Sequence, residues 1–404
     1  MNVTGFLDLL TPAGQDALRA AMELHPREKD FLPLFQNLAK RYPRELARSA
    51  LETAILRGEA QSKFPRAERM YFTREALEQA SGYEVAAHRA ERYRGYELIA
   101  DLGCSIGGDT LALAEVAPVV GLDRDPLRLL MARENLRALG LQGDFVQTDL
   151  VTSFPCLPYP YVALFFDPAR RENGQRITSV RRYIPPLNTI ANWRPYFPAI
   201  GVKISPGVDL RELFGYDAEI EFVSLRGELK EAVLWFGPLK AGQRRATVLP
   251  GPHMMVDDVT PLPPARRPTL AISQPRRYFY EPDPSVIRAG MVRTLMARLG
   301  AAQIDESIAY LTADKRVKTP FARVWEVEDW FPFQLKRLRA YLRARHVGQV
   351  TVKKRGSPIL PEDLIRDLRI NKDDPEERVV FLTQLRGNPI VVVCFQGGER
   401  YGSR

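Results

Sequence analysis

From residue 96 onward, short apolar runs alternate with amphipathic stretches, and this alternation limits the folds open to the 404-residue chain. The amphipathic stretch PLRLLMARENLRALG has helical spacing and ends at Gly140, a residue type that favours helix C-termini. Continuously apolar strands are typical of parallel sheets covered by helices on both faces. The pattern therefore predicts an α/β domain with a doubly wound parallel sheet over residues 96–240. The strand-like runs are, in order, ELIADLG, VAPVVGLD, GDFVQTDL, YVALFFDP, AIGVKIS and EAVLWFG.

The segments on either side of this alternation have different patterns. Residues 1–95 show helical spacing, with Thr11 as a candidate N-cap and Pro12 at the first helical position, which predicts a helical domain. Residues 241–290 contain nine prolines. Because proline disrupts helix and strand interiors, this segment is expected to be a stiff connector. Residues 291–404 mix helical and strand-like stretches and predict a C-terminal α+β domain.

A glycine-rich turn, DLGCSIGGD, follows the first predicted strand and opens a predicted helix at residues 101–109. Small residues in this position let a ligand approach the backbone amides of a helix N-terminus. The turn departs from G-x-G-x-x-G because Ser105 replaces the second glycine, and it fits better the acidic-x-G-x-(G/S)-x-G turn used for S-adenosylmethionine. We expect Gly103, Ser105 and Gly107 to meet the carboxylate of this cofactor. Asp101 is expected to orient the turn or to meet the ammonium group.

Three further aspartates stand at the ends of the next three predicted strands. Asp123 lies 22 residues after Asp101, the offset at which a carboxylate accepts hydrogen bonds from both ribose hydroxyls of a nucleotide. Asp149 is placed to accept the adenine amino group. Asp167 ends the fourth strand, where the reacting atom of the substrate lies in such folds, and Pro168 would stiffen the turn after it. One acidic residue per strand end favours a nucleotide-binding site over isolated structural aspartates.

The same turn also matches a hydrolase motif. Residues 103–107 read G-x-S-x-G, the nucleophile elbow of α/β-hydrolases, in which Ser105 would be the nucleophile. The later histidine would have to be His253 or His346. An elbow of this kind follows several strands, whereas the strand before Ser105 is the first predicted one. The order of elements therefore disfavours a hydrolase.

Taken together, the turn, Asp123, Asp149 and the run DPARR resemble class I S-adenosylmethionine-dependent methyltransferases. The fuller pattern resembles the bacterial members that carry a C-terminal THUMP-like domain. This resemblance covers most of the chain and rests on the order of its motifs: QAS before the sheet, DLGCSIGGD, LFFDPARR, VKISPGVDL, LKEAVLW and YEPDPSVIRAG. It implies a Rossmann-like sheet that binds S-adenosylmethionine, and an enzyme that modifies RNA, either tRNA or rRNA.

The residues around Asp167 narrow the chemistry. Methyltransferases that act on uracil C5 need a nucleophilic cysteine on the next strand, where this chain has Lys203, Ile204 and Ser205. Those that act on exocyclic amines use (N/D)-P-P-(Y/F), whose aromatic residue is absent here. We expect direct methyl transfer to a base nitrogen or a ribose oxygen, with Asp167 and Pro168 at the catalytic position. Two alternatives stay open: a methyltransferase for a small molecule or a protein, and an RNA-binding protein of low activity.

Basic residues give the chain a formal charge of +9 and concentrate in two places. Residues 336–355 carry eight basic side chains and no acidic one, a density that suits a phosphate backbone or a solvated helix face. Arg339, Arg343 and Lys354 are candidate RNA contacts in this run. Arg170 and Arg171 follow Asp167 and could meet a substrate phosphate. Lys203 ends an apolar strand and is a further candidate at the mouth of the site.

Cysteines, histidines and apolar runs indicate whether a metal site, a disulfide or a membrane span is expected. The three cysteines and four histidines are scattered without ligand spacing, so neither a disulfide framework nor a metal site is expected. The N-terminus lacks the pattern of a signal peptide, and no apolar run is long enough for a membrane span. A reduced, cytoplasmic protein is the expectation. The oligomeric state is left open by the sequence.

Overall fold

The structure is a computed structural model that describes residues 1–152, 162–172, 175–257 and 272–397. The chain divides into two compact units. The first unit comprises Met1–Ile220 and Lys230–Ala241, and the second comprises Glu221–Leu229 and Gly242–Arg404.

The first unit begins with α-helices, as predicted for residues 1–95. Thr11 caps the second helix through a hydrogen bond from the Gly14 amide to its side chain, and Pro12 occupies the first turn. Side chains of this helical region, including Phe6 and Phe72, share one buried core with Phe165 and Trp235 of the sheet. The helices therefore pack on the sheet as part of the same unit. They are α1 (Val3–Leu10), α2 (Pro12–Glu23), α3 (Phe31–Leu38), α4 (Arg44–Ala60), α5 (Arg74–Gln79) and α6 (Tyr83–Ala90).

Strands and helices then alternate, which confirms the α/β fold. The elements are β1 (Leu98–Leu102), α7 (Gly108–Ala114), β2 (Val119–Asp123), α8 (Pro126–Ala138), β3 (Asp144–Gln147), β4 (Val162–Phe166), β5 (Arg171–Glu172), β6 (Gln175–Arg176), α9 (Ile190–Trp193), β7 (Ile200–Ile204), β8 (Glu219–Leu225) and β9 (Glu228–Phe236).

In the first unit the strands lie in the order β9-β7-β4-β1-β2-β3. β7, β4, β1, β2 and β3 pair in parallel, and β9 pairs antiparallel with β7. All five residues of β4 are buried, because helices or loops cover both faces of the central strands. The parallel arrangement brings the carboxyl ends of β1, β2, β3, β4 and β7 to one edge of the sheet, where the predicted site residues lie.

The second unit contains a seven-stranded sheet in the order β13-β14-β12-β15-β18-β17-β16. Among these described strands, β16 and β17 pair in parallel and the other neighbours pair antiparallel. Leu338 and Leu342 of α12 and Leu364 of α13 pack on this sheet and share one buried core with Val391 of β18. The elements are β10 (Arg244–Leu249), β11 (His253–Asp257), β12 (Tyr278–Pro282), α10 (Pro284–Arg288), α11 (Val292–Leu299), β13 (Ala302–Asp305), β14 (Ile308–Ala313), β15 (Ala322–Pro332), α12 (Leu335–Arg343), β16 (Val347–Lys354), α13 (Pro361–Leu368), β17 (Glu376–Leu385) and β18 (Asn388–Phe395).

The proline-rich segment 241–290 differs from the predicted connector. Its described parts contain β10, β11, β12 and α10, and β12 belongs to the seven-stranded sheet. Four of the nine prolines stand at element boundaries: Pro250 and Pro252 lie between β10 and β11, Pro282 ends β12, and Pro284 begins α10. Proline is tolerated at strand ends and in the first turn of a helix, so these four are compatible with regular structure. Pro261, Pro263, Pro264 and Pro268 lie outside the described residues.

Candidate active site

The glycine-rich turn joins β1 to α7 and bends sharply. Gly103 and Gly107 have φ angles of 87° and 81°, a region that glycine adopts at little cost. A Cβ atom added at Gly103 would lie 3.0 Å from the Asp167 carbonyl oxygen, so a side chain there would push the turn away from the end of β4. Ser105 of the same turn also adopts the left-handed region, at φ 51°, although it is not a glycine. The turn thus lies directly against the predicted catalytic position.

Asp123 holds this turn in place. One carboxylate oxygen accepts a hydrogen bond from the Ser105 amide at 2.9 Å, and the other accepts one from the Asp125 amide at 2.9 Å. A carboxylate offers about four acceptor positions, so the two amides leave capacity for further donors. Asp123 is half-buried at the end of β2. Its position is compatible with the predicted contact to ribose hydroxyls, which stays a prediction.

Asn135 fixes the turn from the other side. This fully buried residue of α8 donates hydrogen bonds from Nδ2 to the carbonyl oxygens of Ile106 and Tyr71, at 2.9 and 3.0 Å. Its Oδ1 accepts a hydrogen bond from the Tyr71 amide at 2.7 Å. One amide side chain therefore ties the turn to the helical region, a role that the sequence pattern of α8 did not indicate.

Asp101 carries an acceptor atom that no described residue uses. The side chain is 1% exposed, and its Oδ2 accepts a hydrogen bond from the Thr110 hydroxyl at 2.6 Å. Its Oδ1 is buried without a hydrogen-bond partner among the described residues. Burial, and to a smaller degree the neighbouring Asp109 carboxylate, raise the pKa of Asp101 to about 8. A buried acceptor of this kind is costly unless a ligand supplies the donor.

Asp167 shows the same division between its two oxygens. Oδ2 accepts a hydrogen bond from the Lys203 ammonium at 2.5 Å. Oδ1 is buried and has no hydrogen bond among the described residues, although the Arg170 guanidinium lies 3.5 Å away. Lys203 is 3% exposed, so its ammonium meets Asp167 in the interior and not in solvent. The structure therefore places Lys203 beside Asp167, and a role in substrate binding stays a prediction.

Lys203 is one member of a buried chain of alternating charges. Its ammonium also lies 3.7 Å from an Asp109 oxygen, and Asp109 is bound by the Arg89 guanidinium. Arg89 comes from α6, is 1% exposed, and binds Glu231 of β9 with its other nitrogen. Burial alone would raise the pKa of Asp109, but Arg89 and Lys203 together lower it below its ordinary value. These two cations therefore keep Asp109 ionised beside the candidate site.

The other predicted site residues of the first unit differ in their burial. Asp149 is exposed just beyond β3, and its Oδ1 accepts a hydrogen bond from the Val151 amide at 2.9 Å. Pro168 is buried and Arg170 is half-buried. The backbone of Arg171 forms part of β5, while its side chain lies outside the described part of the chain. The first unit thus brings Asp101, Asp123, Asp167 and Lys203 to one edge of the sheet and leaves Asp149 at its periphery.

Three predicted RNA contacts lie in the second unit. Arg339 and Arg343, on α12, donate to the carbonyl oxygens of Asp367 and Arg369 at the end of α13. These bonds satisfy carbonyl groups that a helix C-terminus leaves open. Lys354 is exposed at the end of β16. Arg339 and Arg343 therefore have a structural function whether or not they also meet RNA.

Features required by other chemistries are not seen in the described residues. No hydrogen bond joins the Ser105 hydroxyl to a histidine there, which removes the support for a hydrolase triad. Within the described ranges, no group of three or more His, Cys, Asp or Glu side chains is arranged to hold a metal ion. No helix in those ranges is long and apolar enough to cross a membrane.

Comparisons with known proteins agree with this geometry. A family model described as THUMP domain-like matches residues 322–396, and a model of a domain of unknown function matches residues 2–60. An uncharacterized S-adenosylmethionine-dependent methyltransferase of Mycobacterium tuberculosis is 37% identical over 336 residues, which cover 80% of this chain and 90% of the relative. A trimethylguanosine synthase of Schizosaccharomyces pombe is 33% identical over 66 residues, or 16% of this chain and 28% of that protein.

One solved structure matches nearly the whole chain. A crystal structure from Porphyromonas gingivalis W83, described as that of a methyltransferase, has a TM-score of 0.72 and 20% identity. The match covers 93% of this chain and all of the other. At this identity the likeness shows a shared fold.

Proposed function

The chain belongs to the S-adenosylmethionine-dependent methyltransferases, and on that premise we propose that it transfers a methyl group directly to a nitrogen or oxygen atom of tRNA or rRNA. The observation that carries the proposal is the buried Oδ1 of Asp167 at the carboxyl edge of the parallel sheet, which has no hydrogen bond among the described residues. This oxygen lies 3.5 Å from the Arg170 guanidinium and next to the turn that is expected to hold the cofactor.

The residues of the turn suit S-adenosylmethionine. The buried Oδ1 of Asp101 needs a hydrogen-bond donor, and the ammonium group of the cofactor is a donor of opposite charge. The glycines at 103 and 107 leave the backbone open to a carboxylate at the start of α7. Asp123 retains acceptor capacity for the ribose hydroxyls. When bound, S-adenosylmethionine supplies an electrophilic methyl group.

Asp167 is proposed to act on the acceptor. Its Oδ1 accepts a hydrogen bond from the N–H or O–H group that is to be methylated and so orients the attacking lone pair. As positive charge develops on that atom, the carboxylate stabilises it and takes up the proton. Lys203 holds the other oxygen at 2.5 Å and so prevents the carboxylate from turning away. Pro168 limits the backbone conformations that follow Asp167.

RNA is proposed as the substrate on two grounds. Residues 322–396 match the THUMP domain-like model, which agrees with the resemblance to RNA-modifying methyltransferases. The run 336–355 adds eight basic side chains to that region. Several of them have partners within the protein, yet exposed cations such as Lys354 are available for phosphate contacts, which position RNA without reading its sequence. A cytoplasmic location is part of this proposal.

The test compares modified nucleosides by mass spectrometry in total RNA from strains with and without the gene. We expect one methylated nucleoside to be lost without the gene and to be restored by the wild-type protein but not by Asp167→Asn. Asp144→Asn is the matched control, because Asp144 is exposed at the opposite, amino end of β3 and should restore the nucleoside.

Unchanged RNA in that comparison would contradict the proposal. Transfer of labelled methyl groups to a protein or to a small molecule in extracts would then identify another substrate class. Cofactor binding without turnover on any fraction would instead identify an RNA-binding protein of low activity.

A further inference from the structure

The second unit contains a cavity of about 140 Å³ to which no function is assigned. Backbone from four places forms its walls: Gly227, the end of β12, the start of β15 and the end of β16. Pro282, Pro284 and Pro320 line it and restrict its movement. At about 30 Å³ for each water molecule, the volume corresponds to about five waters. This volume is sufficient for one small polyatomic ion.

Three cationic side chains converge on this cavity. Lys353 and Arg355 are two positions apart along β16 and its end, so their side chains lie on the same side of the strand. Lys354, between them, points to the other side and is exposed. Arg323, at the start of β15, is the third cation. The alternation of the strand thus divides the continuous basic sequence into cavity-lining and exposed residues.

Two of these cations form no ion pair within 4 Å among the described residues. The Lys353 ammonium donates to Glu281 at 2.5 Å, which accounts for one carboxylate of the cavity. The Arg355 guanidinium lies 5.2 Å from the centre of the Tyr310 ring, which orients it without neutralising its charge. In the described part of the chain, no carboxylate lies within 4 Å of the guanidinium groups of Arg323 or Arg355.

The other carboxylate of the cavity, Asp283, is already engaged. Its Oδ1 accepts hydrogen bonds from the Ser224 hydroxyl at 2.5 Å and from the Ser285 amide and hydroxyl at 2.9 and 2.8 Å. The side chain is 4% exposed and caps α10. With three cations against two carboxylates, the cavity lining has a net charge of +1.

We propose that this cavity binds a phosphate group between the guanidinium groups of Arg323 and Arg355. Guanidinium groups present paired N–H donors that match the oxygens of phosphate, and phosphate supplies the negative charge that these two residues lack. The group belongs either to an RNA phosphodiester or to free phosphate. The RNA source rests on the proposed function, whereas the phosphate site does not.

The site is tested by calorimetric titration of the full chain with inorganic phosphate at constant ionic strength. We expect saturable binding that weakens about tenfold in Arg323→Gln and in Arg355→Gln, the loss expected for one charge-assisted hydrogen bond. Lys354→Gln removes a neighbouring charge outside the cavity and should bind phosphate as the wild type does. Binding that does not saturate, or equal affinities in all three variants, would overturn the proposal.

Thermal denaturation checks that the variants are folded. Arg323→Lys provides a second measurement because it keeps the charge and loses the fork of donors, so its phosphate affinity should lie between those of the wild type and Arg323→Gln. If Arg323→Lys instead binds phosphate as tightly as the wild type does, the paired donors of this guanidinium do not hold phosphate and the proposal fails.

Competition identifies the source of the phosphate group. A fluorescently labelled RNA bound to the full chain is titrated with phosphate or with chloride at matched ionic strength. An RNA phosphodiester in the cavity predicts that phosphate displaces RNA more than chloride does and that Arg323→Gln weakens RNA binding. Equal displacement, with phosphate binding intact, assigns the cavity to free phosphate. Absence of RNA methylation alongside intact phosphate binding would reject the proposed function alone.

Discussion

We expect the raised pKa of Asp101 to make cofactor binding dependent on pH. With a pKa of about 8 in the free protein, Asp101 is mostly protonated at pH 7. Pairing with the cofactor ammonium requires the carboxylate, so binding must release a proton, about 0.9 of one at pH 7. Each pH unit below the pKa adds about 1.4 kcal/mol to the cost of that release. The dissociation constant should therefore rise about tenfold between pH 7 and pH 6 and level off as pH rises past 8.

Calorimetry with S-adenosylhomocysteine, which keeps the ammonium group, measures both quantities. Titrations in buffers of different ionisation enthalpy give the number of protons released, and the series in pH gives the affinities. 5′-Methylthioadenosine lacks the amino-acid end and is the matched ligand: its affinity should stay constant between pH 6 and 7. Asp101→Asn should abolish the proton release. The reasoning is refuted if wild-type affinity for S-adenosylhomocysteine is constant over this range, or if Asp101→Asn releases the same number of protons.

Four further predictions concern the roles of the site residues and of the basic run. Asp123→Ala should weaken S-adenosylhomocysteine binding by about 1.5 to 3 kcal/mol in calorimetry, because the turn and the ribose lose a charged acceptor; unchanged affinity would remove Asp123 from the site. Asp167→Asn should lower kcat on the order of 10²-fold or more and change cofactor affinity by only a few-fold. Unchanged kcat with a large loss of cofactor affinity would assign Asp167 to cofactor binding. Arg89→Met should destabilise the fold by roughly 3 to 5 kcal/mol in denaturant unfolding, since two buried carboxylates lose their counter-ion, while the exposed Arg94→Met should leave the midpoint unchanged. Replacing Arg339, Arg343 and Lys354 by Gln, which can still donate to the carbonyls of α13, should reduce the salt dependence of RNA binding by up to about one unit of slope per lost contact; identical slopes would indicate a purely structural role.

Local pattern was sufficient to predict most of the fold. Apolar runs and helical spacing identified the strands that became β1, β2, β3, β4, β7 and β9, since the period of side-chain burial is a local property. The described parts of 241–290 contain strands and a helix that the proline content did not predict, because proline content does not distinguish an element boundary from an interior. Pro282 and Pro284 stand two positions apart, yet one ends a strand and the other begins a helix. Composition averaged over fifty residues hides that difference.

Charge density along the sequence overstated the charge available to a partner. Within residues 336–355, Arg345 binds Glu328, Arg337 lies over the Phe331 ring, and Lys353 binds Glu281. Each of those partners is at least six residues away in the sequence, so no inspection of the run itself identifies them. Any RNA contact must therefore come from side chains or donors that these bonds leave open, such as Lys354.

The sequence did not predict the buried chain of alternating charges beside Asp167, for a related reason. Arg89, Asp109, Lys203 and Glu231 come from α6, α7, β7 and β9, four segments that are far apart in the sequence or whose patterns are those of ordinary helices and strands. Only the packed core places them within reach of one another. The consequence is that Arg89, from the helical region, supplies the charge that keeps Asp109 ionised next to Lys203. The helices of residues 1–95 are thus part of the active-site structure, because without Arg89 the carboxylates of Asp109 and Glu231 would be buried without their shared counter-ion.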